Sequence, residues 1–112
     1  MMGLPAAGTL VFRASAEWTA DLQPGVSTQT LIDDPQGYRT QLMKVDPGPF
    51  GALHAHDEIE QVYVISGDFF DEEGSYGPGD LILRAPGALH RTGSVNGATM
   101  LLIYSPPPQL PI

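Results

Sequence analysis

The chain has 112 residues, 42% of them apolar and 16% charged, with no cysteine and a formal net charge of −8 from 13 acidic and 5 basic residues. That length suits one domain spanning 1–112, with a single hydrophobic core over about 9–105 and a proline-rich tail at 106–112. Five scattered cations cannot build the basic face that nucleic acid or an anionic membrane requires, and the missing thiols exclude disulfides, thiolate metal sites and cysteine nucleophiles.

The 13 glycines and 11 prolines are spread as punctuation, which predicts many short strands joined by tight turns. Thr9 to Arg13 reads as a first strand from its β-branched and aromatic residues. Trp18 follows in a polar segment and is expected to cover a sheet edge or an interface. Leu22 to Val26 reads as a turn, Ser27 to Asp33 as a strand, and Asp34-Pro35-Gln36-Gly37 as a strong turn signal. Tyr38 to Asp46 is strand-like and ends at the breaker Pro47-Gly48-Pro49. Asp68 to Tyr76 predicts a hairpin turning at Glu73-Gly74, followed by a turn at Gly77 to Asp80, a strand at Leu81 to Arg84 and a turn at Ala85-Pro86-Gly87. Leu89 to Thr92 carries His90. Ala98 to Tyr104 is nearly all apolar and is expected at the centre of a sheet. The final prolines cannot join a ladder and predict an extended tail. Eight to ten short strands without a helical period predict an all-β sandwich or barrel. Arg13 and Glu17 interrupt any leader-like apolar run, and stretches such as Met100 to Tyr104 are too short to cross a bilayer, so a cytoplasmic protein is expected.

The chemistry concentrates between Gly48 and Gly67. If the backbone there is extended, His54, His56 and Glu60 share a parity and project from one strand face. His90, the third histidine of the chain, can add another nitrogen from a later turn-rich segment. Three imidazoles and a carboxylate form a metal-ligating set. Glu58 has the same parity as Glu60, but the spacing favours Glu60. Asp57 and Glu58 read as turn or solvated charges, and Asp71-Glu72-Glu73 reads as a solvated hairpin tip and not a calcium loop.

Gly48, His54, His56, Glu60 and Gly67 match the first cupin motif in identity and spacing. The second motif is looser: Gly79-Asp80 opens it and Gly87 and His90 close it, with Ala85 where the family usually has proline and Ser94 where it usually has asparagine. From Trp18 to Tyr104 the chain resembles the RmlC-like cupin domain of ChrR-type anti-sigma factors, and is similar to acetylacetone-cleaving dioxygenases. The resemblance implies a small conical double-stranded β-helix, also called a jelly-roll barrel, with a divalent metal inside. All three histidines fall on ligand positions. A lone buried histidine is more often a core residue than a ligand, but three of three with a correctly spaced glutamate favour His54, His56, Glu60 and His90 as ligands. Fe(II), Zn, Ni and Mn all suit that set, and identity is selected by geometry and supply.

Other chemistry is sparse, since no nucleophile elbow or phosphate-cradling loop is present. Residues expected near the metal or substrate are Arg39, Gln41, Tyr63, Arg84, Met100 and Tyr104, although packing is the plainer explanation for each. The favoured function is a non-haem metal-dependent dioxygenase acting on a small diketone-like or phenolic molecule. The alternative is a non-catalytic zinc- or metabolite-binding sensor, and a structural cupin with a vestigial site is the third. The sensor is disfavoured because the anti-sigma factors resembled carry a separate cysteine-bearing zinc domain. A small barrel has edges to protect, so a homodimer is expected.

Overall fold

A computed structural model describes residues 6–13, 15–54 and 56–107, with residues 50–54 described in backbone only. The described residues form ten strands: β1 (Thr19–Ala20), β2 (Val26–Asp33), β3 (Arg39–Val45), β4 (Gly48–His54), β5 (Ile59–Gly67), β6 (Phe69–Asp71), β7 (Gly74–Tyr76), β8 (Leu81–Arg84), β9 (His90–Ser94) and β10 (Ala98–Ser105). They form two antiparallel sheets, one in the order β1-β2-β3-β10-β5-β8 and the other in the order β4-β9-β6-β7. This is the cupin jelly-roll architecture, and among the described residues no helix is long and apolar enough to cross a membrane.

Strand β10 holds the centre of the larger sheet, as its apolar run predicts. Ala98, Met100, Leu102 and Tyr104 are buried, whereas the alternate residues are only partly covered. Val26 and Val45 extend this inner face toward one sheet edge, Val62 and Val64 extend it across β5, and Phe69 meets it from the smaller sheet. Burial of each such aliphatic side chain contributes roughly 1.5–3 kcal/mol.

Three sequence expectations are corrected. Thr9 to Arg13 forms no strand, because it pairs with no other element among the described residues and its Val11 is 64% exposed. Residues 54 to 60 do not lie on one strand: β4 ends at His54, residues 57 and 58 bend, and β5 begins at Ile59 in the other sheet. Pro47-Gly48-Pro49 is not purely a breaker, since β4 starts at Gly48 and Pro49 pairs with Gly93. A proline is tolerated there because β4 is an edge strand and its outer side requires no N–H donor. The distal part of the expected tail, residues 108–112, lies outside the described residues.

Ser94, which stands where the resembled motif has asparagine, ties the β9–β10 turn. Its hydroxyl donates to the Asp68 carbonyl at 2.6 Å and accepts the Gly97 N–H at 2.8 Å. The Asp68 carboxylate accepts the N–H groups of Val95 and Asn96 across the same turn. Those bonds, with Val95 foremost, hold the Asp68 carboxyl below the usual carboxylate range. Trp18 lies beside the β1 edge with the Lys44 ammonium 4.5 Å from its ring centroid.

Candidate metal and substrate pocket

The inner face of the larger sheet changes character from rung to rung. Strand register aligns Arg39, Tyr104, Glu60 and Arg84 in one row across β3, β10, β5 and β8. The next row is Gln41, Leu102, Val62 and Ile82, and the one beyond it contains Met43, Met100 and Val64. Charged and hydrogen-bonding groups therefore gather at one end of the barrel above an apolar floor.

A cavity of about 360 Å³ opens at that end. His56, Glu60, His90 and Thr92 line it together with Arg39, Gln41 and Tyr104, and Met43, Val62, Phe69, Met100 and Leu102 supply its apolar wall. Asp21 and Gln23, from the loop between β1 and β2, reach its margin. The volume falls within the range of small-molecule sites.

His56 sits on the short segment between the sheets, and its carbonyl accepts the Gly87 N–H at 2.7 Å. That bond joins the two motif segments, and Gly87, at φ +83°, supplies a turn conformation that side-chain-bearing residues rarely adopt. His56 Nε2 lies 3.8 Å from Glu60 Oε2, and its ring centroid is 6.2 Å from that of His90 and 5.6 Å from that of Tyr104. His90 and Glu60 are buried, at 4% and 5% exposure. Nδ1 of His90 is 3.2 Å from the Ala88 carbonyl. Donation of Nδ1–H to that oxygen leaves the lone pair on Nε2, the arrangement a metal ligand requires. His54 is paired in register with His90 across β4 and β9, so the backbone brings these two positions together, while the His54 side chain lies outside the described residues. Among the described residues no three histidine or acidic side chains converge tightly enough to enclose an ion.

The remaining charges are held by specific partners. Arg39 grips Glu58 with two hydrogen bonds, of 2.7 and 3.2 Å, and lies 4.2 Å over the Tyr104 ring. The Glu58 hydrogen bond raises the Arg39 pKa further, and the pair fastens the bend between His56 and β5 to β3. Glu58 is thus engaged away from Glu60. Burial, followed by the charge of Glu60 and a hydrogen bond to it, pushes the Tyr104 hydroxyl far above its ordinary pKa, so it remains a donor.

The six expected pocket residues divide. Arg39, Gln41, Met100 and Tyr104 line the cavity. Arg84 stands behind Glu60, with Nε 3.2 Å from Oε1. Tyr63 is corrected: it lies on the outer face, 42% exposed, because its parity is opposite to that of Glu60 and Val62. Sequence reasoning missed Asp21, Gln23, Phe69 and Thr92, which arrive through loop closure or from the second sheet. Asp71 is corrected from a solvated tip residue, since its side chain is 1% exposed. Its Oδ1 accepts from Tyr76 Oη and from the N–H groups of Glu73 and Gly74, while its Oδ2 meets Arg84.

Fold and pocket together define a cupin barrel with a histidine- and carboxylate-lined cavity at one end. The chain belongs to the ChrR Cupin-like domain family, which matches residues 6–107. Comparison with curated proteins by sequence gives no match. Among solved structures, the chain is similar to an acetylacetone dioxygenase from Acinetobacter johnsonii, with 17% identity and a TM-score of 0.77 over 88% of this chain and 74% of that one. It is also similar to an RmlC-like cupin from Shewanella frigidimarina NCIMB 400, with 23% identity and a TM-score of 0.74 over 89% and 92%. The complex of Rhodobacter sphaeroides SigE with the anti-sigma ChrR matches at 21% identity and a TM-score of 0.70, covering 80% of this chain but only 49% of that one. At these identities the likeness concerns the fold.

Proposed function

We propose that this chain is a metal-binding cupin in which His54, His56, Glu60 and His90 hold one divalent transition metal, Fe(II), Zn, Ni or Mn. We further propose that it acts as a non-haem metal-dependent dioxygenase on a small organic molecule. The observation that carries the reading is the cavity lined by His56, Glu60 and His90, with His54 in register beside His90. The donor set fits such an ion. So does local charge, because Glu60 and Asp71 face the single guanidinium of Arg84, leaving one formal negative charge for a cation to offset.

Any of these ions would supply Lewis acidity, and a redox-active one such as Fe(II) would also supply activation of oxygen. The protein's part is to orient and to exclude water. Met43, Val62, Met100 and Leu102 suit a hydrocarbon body, and the Gln41 amide can orient polar oxygens, which fits a diketone-like or phenolic substrate. Metal analysis of protein purified without added metal, followed by oxygen uptake with a diketone panel on the Fe(II) form, tests the reading. Substrate-dependent oxygen consumption is expected. Tightly held zinc with no oxygen uptake would sink the dioxygenase proposal and favour a zinc- or metabolite-binding sensor.

A cytoplasmic setting and a homodimer belong to the same proposal. Tyr63 and Ile65 on β5 and Leu81 and Leu83 on the edge strand β8 form an exposed apolar strip on the outer face of the larger sheet. Light scattering should give twice the 12.0 kDa chain mass, and Leu83→Glu should return the monomer. A monomeric parent at micromolar concentration rules the dimer out.

A further inference from the structure

Glu60 is held from three sides. Its neighbours in register are Tyr104 on β10 and Arg84 on β8, and both side chains address its carboxylate. Arg84 Nε lies 3.2 Å from Oε1, while Oε2 lies 3.8 Å from His56 Nε2. One oxygen is thus committed to Arg84 and the other turned toward His56.

Arg84 is itself immobilised. Its side chain is 10% exposed, and its Nη2 lies 2.9 Å from Oδ2 of Asp71, whose side chain is 1% exposed. Neither contact has aligned hydrogen-bond geometry, so the pairing is chiefly ionic. Asp71 cannot swing away, because Tyr76 Oη at 2.8 Å and the N–H groups of Glu73 and Gly74 at 2.8 and 3.2 Å fix its other oxygen. The contacts run without interruption from the β6–β7 hairpin in one sheet, through Arg84 at the edge of the other, to Glu60 at the cavity. The guanidinium reaches the two carboxylates from two different nitrogens, Nε and Nη2, whereas an ammonium would have to reach both from one point on a flexible stem.

Resting on the metal reading above, we propose that Arg84 is a positioning residue for the site. It holds Glu60 with one oxygen presented to the ion, and Asp71 with the hairpin is its anchor. Arg84 touches neither the cavity nor the ion. Its effect passes through Glu60, as outer-shell partners act on metal ligands, where loss of one costs about 10–100-fold in metal affinity.

The test uses Co(II) alone as the probe, reading affinity by chelator competition and coordination by the visible d–d spectrum. Arg84→Met should weaken Co(II) binding about 10–100-fold and shift the spectrum as Glu60→Gln does. The double variant should bind no more weakly than Glu60→Gln, because both changes remove the same donor. Arg84→Lys keeps the charge and should not restore the parent spectrum. Thermal melting of the apo variants separates this effect from unfolding. Should Arg84→Met fail to fold, the isosteric Asp71→Asn, which spares the Arg84–Glu60 pair, should still weaken Co(II) binding several-fold.

Parent-like affinity and spectrum in Arg84→Met, full rescue by lysine, or additive losses with Glu60→Gln would overturn the proposal. Tighter binding in Arg84→Met would also overturn it, by making the guanidinium only a competing charge. A parent that binds no Co(II) defeats the metal reading and this proposal with it, whereas parent binding with an indifferent Arg84 defeats only the latter.

Discussion

Substitution of His56 by alanine is expected to abolish stoichiometric metal while leaving the barrel folded. The two effects separate because His56 lies outside the regular strands, on the short segment between the sheets, and its side chain remains about one third exposed (32%). Its carbonyl accepts the Gly87 N–H, and alanine retains that group. The partly exposed ring meets Tyr104, His90 and Glu60, so the apo form should lose about 1–2 kcal/mol and remain folded. Loss of an imidazole ligand should cost more than the roughly 100-fold upper end found for outer-shell partners. Metal content after dialysis and the thermal midpoint measure both effects on one sample. Added metal at about 100 times its Kd should stabilise the parent by about 2.7 kcal/mol and leave the variant unmoved. Retained stoichiometric metal in the variant would refute the ligand assignment.

The candidate positions were legible because they are local. His54, His56 and Glu60 lie within seven residues, and their spacing survives whatever the backbone does between them. The geometry was not legible: a single extended strand explains the shared parity, yet β4 ends at His54 and the chain restarts as β5 in the other sheet, with His56 and Glu60 both on the cavity. The turns and the central strand were readable for a similar local reason, since Gly and Pro punctuate and β10 is apolar throughout its core. Thr9 to Arg13 misled because β-propensity measures fitness for a sheet without providing a partner.

The rest of the pocket depends on register. Arg39, Glu60, Arg84 and Tyr104 are far apart in the chain and become one row only when β3, β10, β5 and β8 align. No spacing rule identifies Asp71 as the anchor of Arg84, because that contact crosses from one sheet to the other. Tyr63 is different. Its parity relative to Glu60 was available in the sequence and would have placed it outside.

Gly67, the last residue of the first motif, is expected to serve the fold and not the metal, and Gly67→Ala is the substitution with the largest expected effect on stability. Gly67 has φ +81°, and a Cβ built there would stand 1.9 Å from the Gly97 carbonyl oxygen and 2.7 Å from Ala98 Cα. The obstructing atoms are backbone, so no rotamer change relieves the clash. The left-handed conformation alone costs an alanine about 1–2 kcal/mol, and forcing the neighbouring strand aside adds about 1–3 kcal/mol. The strain falls where β5 pairs with β10 at Ala98 and where the Asp68 N–H donates to Gly97, so the turn tied by Asp68 and Ser94 must shift too. For a domain near this size, a loss of about 3 kcal/mol lowers the thermal midpoint by roughly 10 °C or more. Two other glycines act as controls. Gly48, at φ +128° with nothing within 4 Å of a built Cβ, should lose only the conformational part, and Gly74, with no positive φ and open space, should change little. The midpoints should therefore fall in the order Gly74→Ala, Gly48→Ala, Gly67→Ala, while metal bound per folded molecule stays at the parent value in all three. A Gly67→Ala midpoint within two or so degrees of the parent would contradict the close approach of β5 to Gly97 on which the argument rests.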